Sequence, residues 1–388
     1  MSAATSVPFG DGAEILQAGA VVLYGAGQVG RDVCGALLDA GVHVVSLLDR
    51  APREGSSYRG VPIQSVDACP IPVESRGETP LVISIFNRDV DVPAVAASLR
   101  TAGFATIVPF VRLHARFADA LGDRFWLTDA SKLEAAVAEI ARAERVFADD
   151  TSREVFRALI ALRHGEYRPE ANPRNTEMQY LPSDVPEWNR RDGSVRFVDC
   201  GAFRGDTLEQ LLDAGVPIEA SAHFEPDTDN FDQLVRVVRA RVESTGRPAS
   251  SWPCAVGKRS GVVSFQQGSG EASRVSAEGS ATVPVVALDD VLVGWHPTLV
   301  KMDIEGSEIE ALEGARRLLE ADRPRLAVCV YHRPDHLWRI PLLLSSWREL
   351  DGYSFYLRSH GFNGFDTVLY ANPDERGRHH SAFDEVRV

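Results

Sequence analysis

Short β-branched apolar runs alternate with segments of helical period between residues 20 and 111, which is the pattern of a parallel α/β layer. The runs cover 21–24, 42–48, 81–86 and 105–108, and helices fit between them at 29–40 and 92–102, the second stopped at Gly103. From about 117 to 191 the texture changes. Ser131-x-x-Glu134 has capping-box spacing, with Leu133, Val137, Ile140 and Phe147 at helical intervals, and Thr151-x-x-Glu154 opens a further helix carrying Val155, Leu159 and Leu162. Pro169, Pro173, Pro182 and Pro186 then exclude regular structure, so 168–192 reads as a loop or lid. A second α/β alternation starts at 195, with strand candidates at 195–198, 221–224, 252–256, 283–286, 299–302, 326–330, 355–357 and 367–370. The last two are expected to pair antiparallel and close the sheet, ahead of a polar, solvated tail over 373–388.

A chain of 388 residues is long enough for two cores. The pattern divides it into an N-terminal Rossmann-like, nucleotide-binding-type domain over 1–115, a helical connector and lid over 116–190, and a larger α/β domain over 191–388. Asp and Glu number 55 against 41 Lys and Arg, a formal charge of −14, which repels phosphate backbones and anionic membranes and argues against nucleic acid as a partner. No apolar run is long enough to span a bilayer, and the first ten residues have neither the basic segment nor the apolar core of a secretory signal; they read as a short disordered lead. Five well-separated cysteines (Cys34, Cys69, Cys200, Cys254, Cys329) without C-x-x-C spacing read as buried free thiols of a cytoplasmic protein.

Gly25-Ala26-Gly27-Gln28-Val29-Gly30 is a G-x-G-x-x-G that follows a strand and opens a helix, with Asp49 ending the next strand. Such glycines allow a tight turn and close approach of the backbone to phosphate, and the acid suits ribose hydroxyls. Gly25, Gly27, Gln28, Gly30 and Asp49 are therefore candidate contacts for a dinucleotide or nucleotide sugar; the alternative is that the glycines serve packing alone. The strand, the Gly-rich turn and the LLDR sequence at 47–50 resemble the N-terminal domain of PglD-type sugar acetyltransferases, and this resemblance implies a nucleotide-linked sugar.

A second glycine-rich turn, FVDCGAFRGDT at 197–207, has Asp199 at the strand end and Gly201 and Gly205 in the turn. A carboxylate at a strand tip can meet an ammonium group, and Glu225, ending the next strand in FEP, stands where an acid binds a ribose diol, so the set suggests S-adenosylmethionine. In LVKMDIEGSEIEALEGA, Asp303 and Glu305 fall in the turn after an apolar strand, and Ser307-x-x-Glu310 is spaced to cap the next helix; Lys301, inside the strand, reads as structural. In VCVYHRPDHLWRIP, His332 leaves another strand at the same edge. Pro334 is expected to start a helix that carries His336 alone, which argues against a two-histidine metal site.

These motifs, with QYLP at 179–182 and LDD at 288–290, resemble the FkbM family of S-adenosylmethionine-dependent methyltransferases over about half the chain. The resemblance implies a class I Rossmann-like methyltransferase fold for the C-terminal domain and an O-methyltransferase acting on a hydroxyl of a sugar, nucleotide sugar or natural product. Carried over by position, Asp199, Gly201, Ala202, Gly205, Thr207, Glu225, Pro226 and Ala255 become cofactor contacts, while Asp303 and Glu305 lie beside the transferred methyl. Phe203 stands where the family often has Asn. An alcohol must lose its proton on methylation; Asp303 or His332 is the candidate base and Glu305 shapes the pocket. The same carboxylates are hard oxygen ligands, so a divalent metal fits the residue types although no spacing demands one. Two other readings remain open at this point: an NAD-dependent oxidoreductase using the N-terminal glycines, and a non-catalytic sugar-nucleotide binding protein. Oligomeric state is open.

Overall fold

The computed structural model describes residues 9–166, 174–186, 188, 193–266, 274–275, 279 and 281–373. The lead expected at the start lies outside them up to residue 8, the lid at 167–173, 187 and 189–192, and the tail from 374. The chain divides into two units, and both contain the α/β layers that the alternation predicts. Among the described residues no helix is long and apolar enough to cross a membrane. All five cysteines are buried and unpaired.

The first unit comprises Met1–Ala138, Glu154–Arg174 and Gly361–Phe365. Its strands are β1 (Val21–Tyr24), β2 (Val44–Leu48), β3 (Ser57–Tyr58), β4 (Val61–Gln64), β5 (Leu81–Ile83) and β6 (Ile107–Pro109), in the order β3-β4-β2-β1-β5-β6. All pairs are parallel except the β3–β4 hairpin. That hairpin has no counterpart in the sequence reading, because Gly60 and Pro62 break up the apolar run. Val22, Leu81, Ile83 and Ile107 fill the core together with Val92, Ala96 and Leu99 of the helix Val92–Thr101. Residues 361–365, distant in sequence, join this unit through chemistry: Phe365 packs edge-on to Phe86 and Phe125, and the Asn363 amide donates to the carbonyls of Asn87 and Val90.

The helices expected between 117 and 163 form, with different caps. Asp129 accepts from the Ser131 N–H at 2.8 Å to start Ala130–Ala135, and Asp149 accepts from the Ser152 N–H at 2.8 Å at the start of Asp150–Arg163. Ser131 and Thr151 are not the caps because a carboxylate two residues upstream of each starts the turn and is the stronger acceptor.

The second unit comprises Glu139–Arg153, Asn175–His360 and Asp366–Val388. Its strands are β7 (Val195–Cys200), β8 (Ile218–Phe224), β9 (Ala249–Trp252), β10 (Ala255–Val256), β11 (Gly261–Gln266), β12 (Arg274–Val275), β13 (Ala281–Val286), β14 (Leu299–Met302), β15 (Arg325–Cys329), β16 (Tyr353–Ser359) and β17 (Thr367–Pro373). Seven of them form one sheet in the order β16-β17-β15-β14-β7-β8-β9, and β10-β13-β11-β12 form a second, smaller sheet. β17 runs antiparallel to both β15 and β16, as expected for the closing pair. Two strand candidates do not fall wholly within the seven-stranded sheet. The run 252–256 is cut at Pro253, so its halves belong to β9 and β10, and 283–286 lies in β13, whose burial alternates along its length as in a sheet with one wet face rather than a central parallel strand.

Arg358 is buried near the end of β16, at 2% exposure. Its guanidinium reaches Asp149 Oδ2 at 2.8 Å, Asp184 Oδ2 at 2.7 Å and the Ser152 hydroxyl at 2.9 Å, so one planar cation ties the helix start at 150 and the segment at 184 to the strand. Arg358→Ala leaves these acceptors without their cation and is expected to cost about 3–5 kcal/mol in denaturant unfolding, whereas Asp184→Asn, altering the more exposed acid, should cost far less. Equal losses would contradict the clamp.

Candidate active site

In open α/β sheets, ligands bind beyond the carboxyl ends of the strands where the strand order reverses. In the second unit this switch point lies between β7, which leads outward to β8 and β9, and β14, which leads to β15. Asp199, Glu225, Asp303 and His332 all stand at or just beyond the carboxyl ends of these four central strands.

Gly201 shows how tightly the crevice is built. It has φ +76°, and a Cβ there would lie 1.9 Å from the Asp303 carbonyl oxygen, so only glycine lets the ends of β7 and β14 meet. Gly205, at φ +89°, precedes the helix Asp206–Asp213, and a Cβ there would come within 3.0 Å of Val237. Phe203 also has positive φ, +48°, a conformation that asparagine tolerates better, so this chain's departure from the family residue carries backbone strain. Ala202 and Thr207 are buried beside these glycines, and Pro226 follows Glu225 ahead of the helix Thr228–Arg241. Ala255, read as a cofactor contact, is buried in β10, just beyond the carboxyl end of β9.

Asp199 does meet an ammonium group, but that of Lys301. The two residues are paired across β7 and β14, fully buried, with Nζ 3.0 Å from Oδ1 and a further bond from Nζ to the Gly201 carbonyl at 2.5 Å. Burial alone would strip the Lys301 proton; the charges of Asp199, Asp303 and Asp206 outweigh it and push the ammonium pKa up. Glu225 faces the Gly-rich turn, and its two oxygens accept the N–H groups of Phe203 at 2.9 Å and Asp227 at 2.8 Å. Burial raises its pKa to about 7, only partly offset by those two bonds.

Asp303 is held from both sides. The Tyr180 hydroxyl donates to Oδ2 at 2.9 Å, and His332 Nε2 lies 3.2 Å from Oδ1. Burial would raise the Asp303 carboxyl, but His332 and Lys301 hold it well below the usual carboxylate range. His332 Nε2 is also 3.3 Å from Glu305 Oε1, while Nδ1 bonds Glu308 Oε1 at 2.8 Å. Burial would deprotonate the ring; Glu305, Glu308 and Asp303 prevail and set its pKa well above the ordinary imidazole value. Glu305 (φ +53°) and Gly306 (φ +100°) make the sharp turn that brings the Glu305 side chain to the ring.

Glu308 is the residue that sequence spacing hid. Ser307 makes no side-chain cap, so the capping box read at 307–310 does not form; instead the fully buried Glu308 accepts the Ile304 and Gly306 N–H groups and faces both His332 and His336. The helix His336–Ser346 starts at His336, as Pro334 suggested, and the two histidines converge on one carboxylate. Tyr180, buried at φ +69° with the Lys301 ammonium 5.7 Å from its ring centre, has no periodicity to announce it; QYLP was its sole signal.

The N-terminal motif sits at the corresponding switch point of the first unit, between β1 and β5. A Cβ on Gly30 would strike the Gly25 carbonyl at 1.8 Å, and one on Gly25 would meet Ile85 at 2.5 Å, so both glycines serve packing; Gly27 borders open space. Asp49, expected to accept ribose hydroxyls, accepts the N–H groups of Ala26 and Ala51, and the Gln28 amide donates to Asp32.

A family model described as the methyltransferase FkbM domain matches residues 199–363, from the buried acid of β7 through His332 and beyond. Residues 199–363 are an FkbM methyltransferase domain. The chain is 32% identical over 106 residues to a hexuronic acid methyltransferase, AglP, of Haloferax volcanii, a match that covers 25% of this chain and 42% of that protein, so the chain spans less than half of the relative's length. Methyltransferase FkbM from Methylobacillus flagellatus KT has the same fold, with a TM-score of 0.71 over 94% of both chains at 22% identity. The FkbM domain's edge suits S-adenosylmethionine on its own geometry: a carboxylate has about four lone-pair directions and Glu225 has committed one on each oxygen, leaving acceptors for a diol, while Asp303 and Glu305 supply negative charge for a sulfonium.

The raised Glu225 pKa gives a signed expectation. Its folded value of about 7 lies above the ordinary 4.5, so ionisation costs the folded state stability as pH climbs from about 4.5 to about 7 and nothing further above that. Glu225→Gln cannot ionise, so its melting temperature relative to the unmodified protein should rise across that window and then level off. A difference independent of pH would contradict the burial argument.

Proposed function

We propose that the protein is an S-adenosylmethionine-dependent O-methyltransferase whose acceptor is a hydroxyl of a sugar or sugar-like metabolite. The observation that carries this reading is the Asp303 carboxylate, fixed at the switch point by Tyr180 and His332 and set against the glycine turn, within a domain of the FkbM family. The hexuronic acid methyltransferase among its relatives supports a sugar as acceptor. When bound, the cofactor supplies an electrophilic methyl group on a sulfonium. Glu225 offers its free lone pairs to the ribose diol, and Gly201, Ala202, Gly205, Thr207 and Pro226 shape the wall around it. Asp199 acts through Lys301, holding the turn that carries these residues.

Of the two candidate bases, the geometry favours Asp303. The acidic neighbours of His332 favour a positive charge at its ring, so it orients Asp303 and Glu305 rather than taking the proton itself. Asp303 is a weak base in this setting, which suits a proton that leaves the hydroxyl late, once the new C–O bond has acidified it. Glu305 lines the pocket beside it.

The test is transfer of isotopically labelled methyl from S-adenosylmethionine to a panel of uronic acids, neutral sugars and nucleotide sugars. Label is expected in an ether-linked methyl of at least one sugar. Asp303→Asn should cut turnover by about 10²–10⁴-fold, with a much smaller loss of cofactor affinity. Equal losses in turnover and affinity would make Asp303 a cofactor contact, and label in no hydroxylated acceptor would sink the reading.

A further inference from the structure

His332 presents a buried nitrogen that nothing in the described structure satisfies. Its side chain is 1% exposed, and Nε2 makes no hydrogen bond, although it points between Asp303 Oδ1 at 3.2 Å and Glu305 Oε1 at 3.3 Å. The opposite nitrogen is committed to Glu308, which is itself fixed by the Ile304 and Gly306 N–H groups. With the proton on Nδ1 and donated to Glu308, the Nε2 lone pair faces two anionic oxygens. That arrangement is repulsive unless a positive charge sits among the three atoms.

We propose that Asp303, Glu305 and His332 bind one divalent cation, through one oxygen of each carboxylate and Nε2 of the imidazole. The three donor atoms lie within 4.8 Å of one another. Ligands about 2.1 Å from an octahedral ion are about 3.0 Å apart when adjacent and about 4.2 Å when opposite, so the observed separations need only small side-chain adjustments to close around an ion. One imidazole with two carboxylates matches the preferences of Mn²⁺ and neighbouring divalent ions. The Glu308–His332 bond is the outer support that metal-bound histidines commonly have: it fixes the tautomer and the ring plane. Three protein ligands leave coordination positions open toward the solvent-facing side of Asp303 and Glu305, where hydroxyl or carboxylate oxygens of an acceptor can bind. The cation would then hold the acceptor and lower its hydroxyl pKa, and it would let an acidic sugar enter a site otherwise lined with carboxylates. This catalytic use rests on the methyl-transfer reading; the binding geometry does not.

The competing occupant is a proton on Nε2, and the test separates the two. Full-length protein is stripped with chelator and titrated with Mn²⁺ alone, following the free-ion signal by electron paramagnetic resonance, while S-adenosylmethionine binding is measured on the same metal-free sample. The expected result is one Mn²⁺ per chain, lost in Glu305→Gln and in His332→Gln. Glu308→Gln, which keeps all three ligands but alters the support, should weaken Mn²⁺ binding by roughly 10–100-fold. Circular dichroism on each variant separates lost ligands from lost fold. Absence of stoichiometric Mn²⁺ uptake, or uptake unchanged in folded Glu305→Gln, overturns the cation site in favour of the proton. If S-adenosylmethionine still binds in that case, and methyl transfer runs in chelator, the proposed function survives without it.

Discussion

The buried ion pair between Lys301 and Asp199 is the constraint on which the rest of the candidate active site depends. Neither side chain has water to fall back on, so each requires the other, and removal of one leaves an uncompensated charge in the interior. The pair sits across two neighbouring parallel strands where the sheet order reverses, and it therefore fixes the relative height of the two strand ends. From the same ammonium a bond runs to the Gly201 carbonyl, its charge lowers the Asp303 carboxyl, and the ring of Tyr180 lies over it. Glycine turn, candidate base and the tyrosine that holds the base are thus built around one cation.

Around that centre the charges are arranged in layers. Asp199 is neutralised by Lys301 below the turn, Glu308 is held low by His332 and His336 beside it, and Asp303 with Glu305 faces the crevice. The inner carboxylates hold the structure in place; the outer two remain for chemistry. This ordering leaves two carboxylates at the crevice, where they would suit the sulfonium or the metal ion proposed above, without losing the packing of the sheet.

Much of this was legible in the chain. Strand-to-glycine turns carry their own signature, so Asp199, Gly201, Gly205, Glu225, Asp303 and Glu305 could be placed at strand ends, and the alternation of apolar runs gave both α/β layers. What stayed hidden is what depends on side chains meeting across long separations. Lys301 sits in an apolar strand and looks inert until Asp199 is brought beside it; Glu308 was masked by a serine-glutamate spacing with the look of a cap; Tyr180 lies in a proline-rich stretch with no period at all. The smaller sheet was missed for a different reason, since Pro253 falls inside what reads as a single apolar run and sends its two halves to different sheets.

The central claim is that the edge of β7 and β8 is a cofactor site for which Glu225 provides the decisive acceptor. Calorimetric titration of S-adenosylmethionine into the full-length protein and into Glu225→Ala tests it most directly. The account predicts one site per chain in the unmodified protein and a heat signal reduced or abolished in the folded variant. No binding to the unmodified protein, or equal affinity in both, would contradict it.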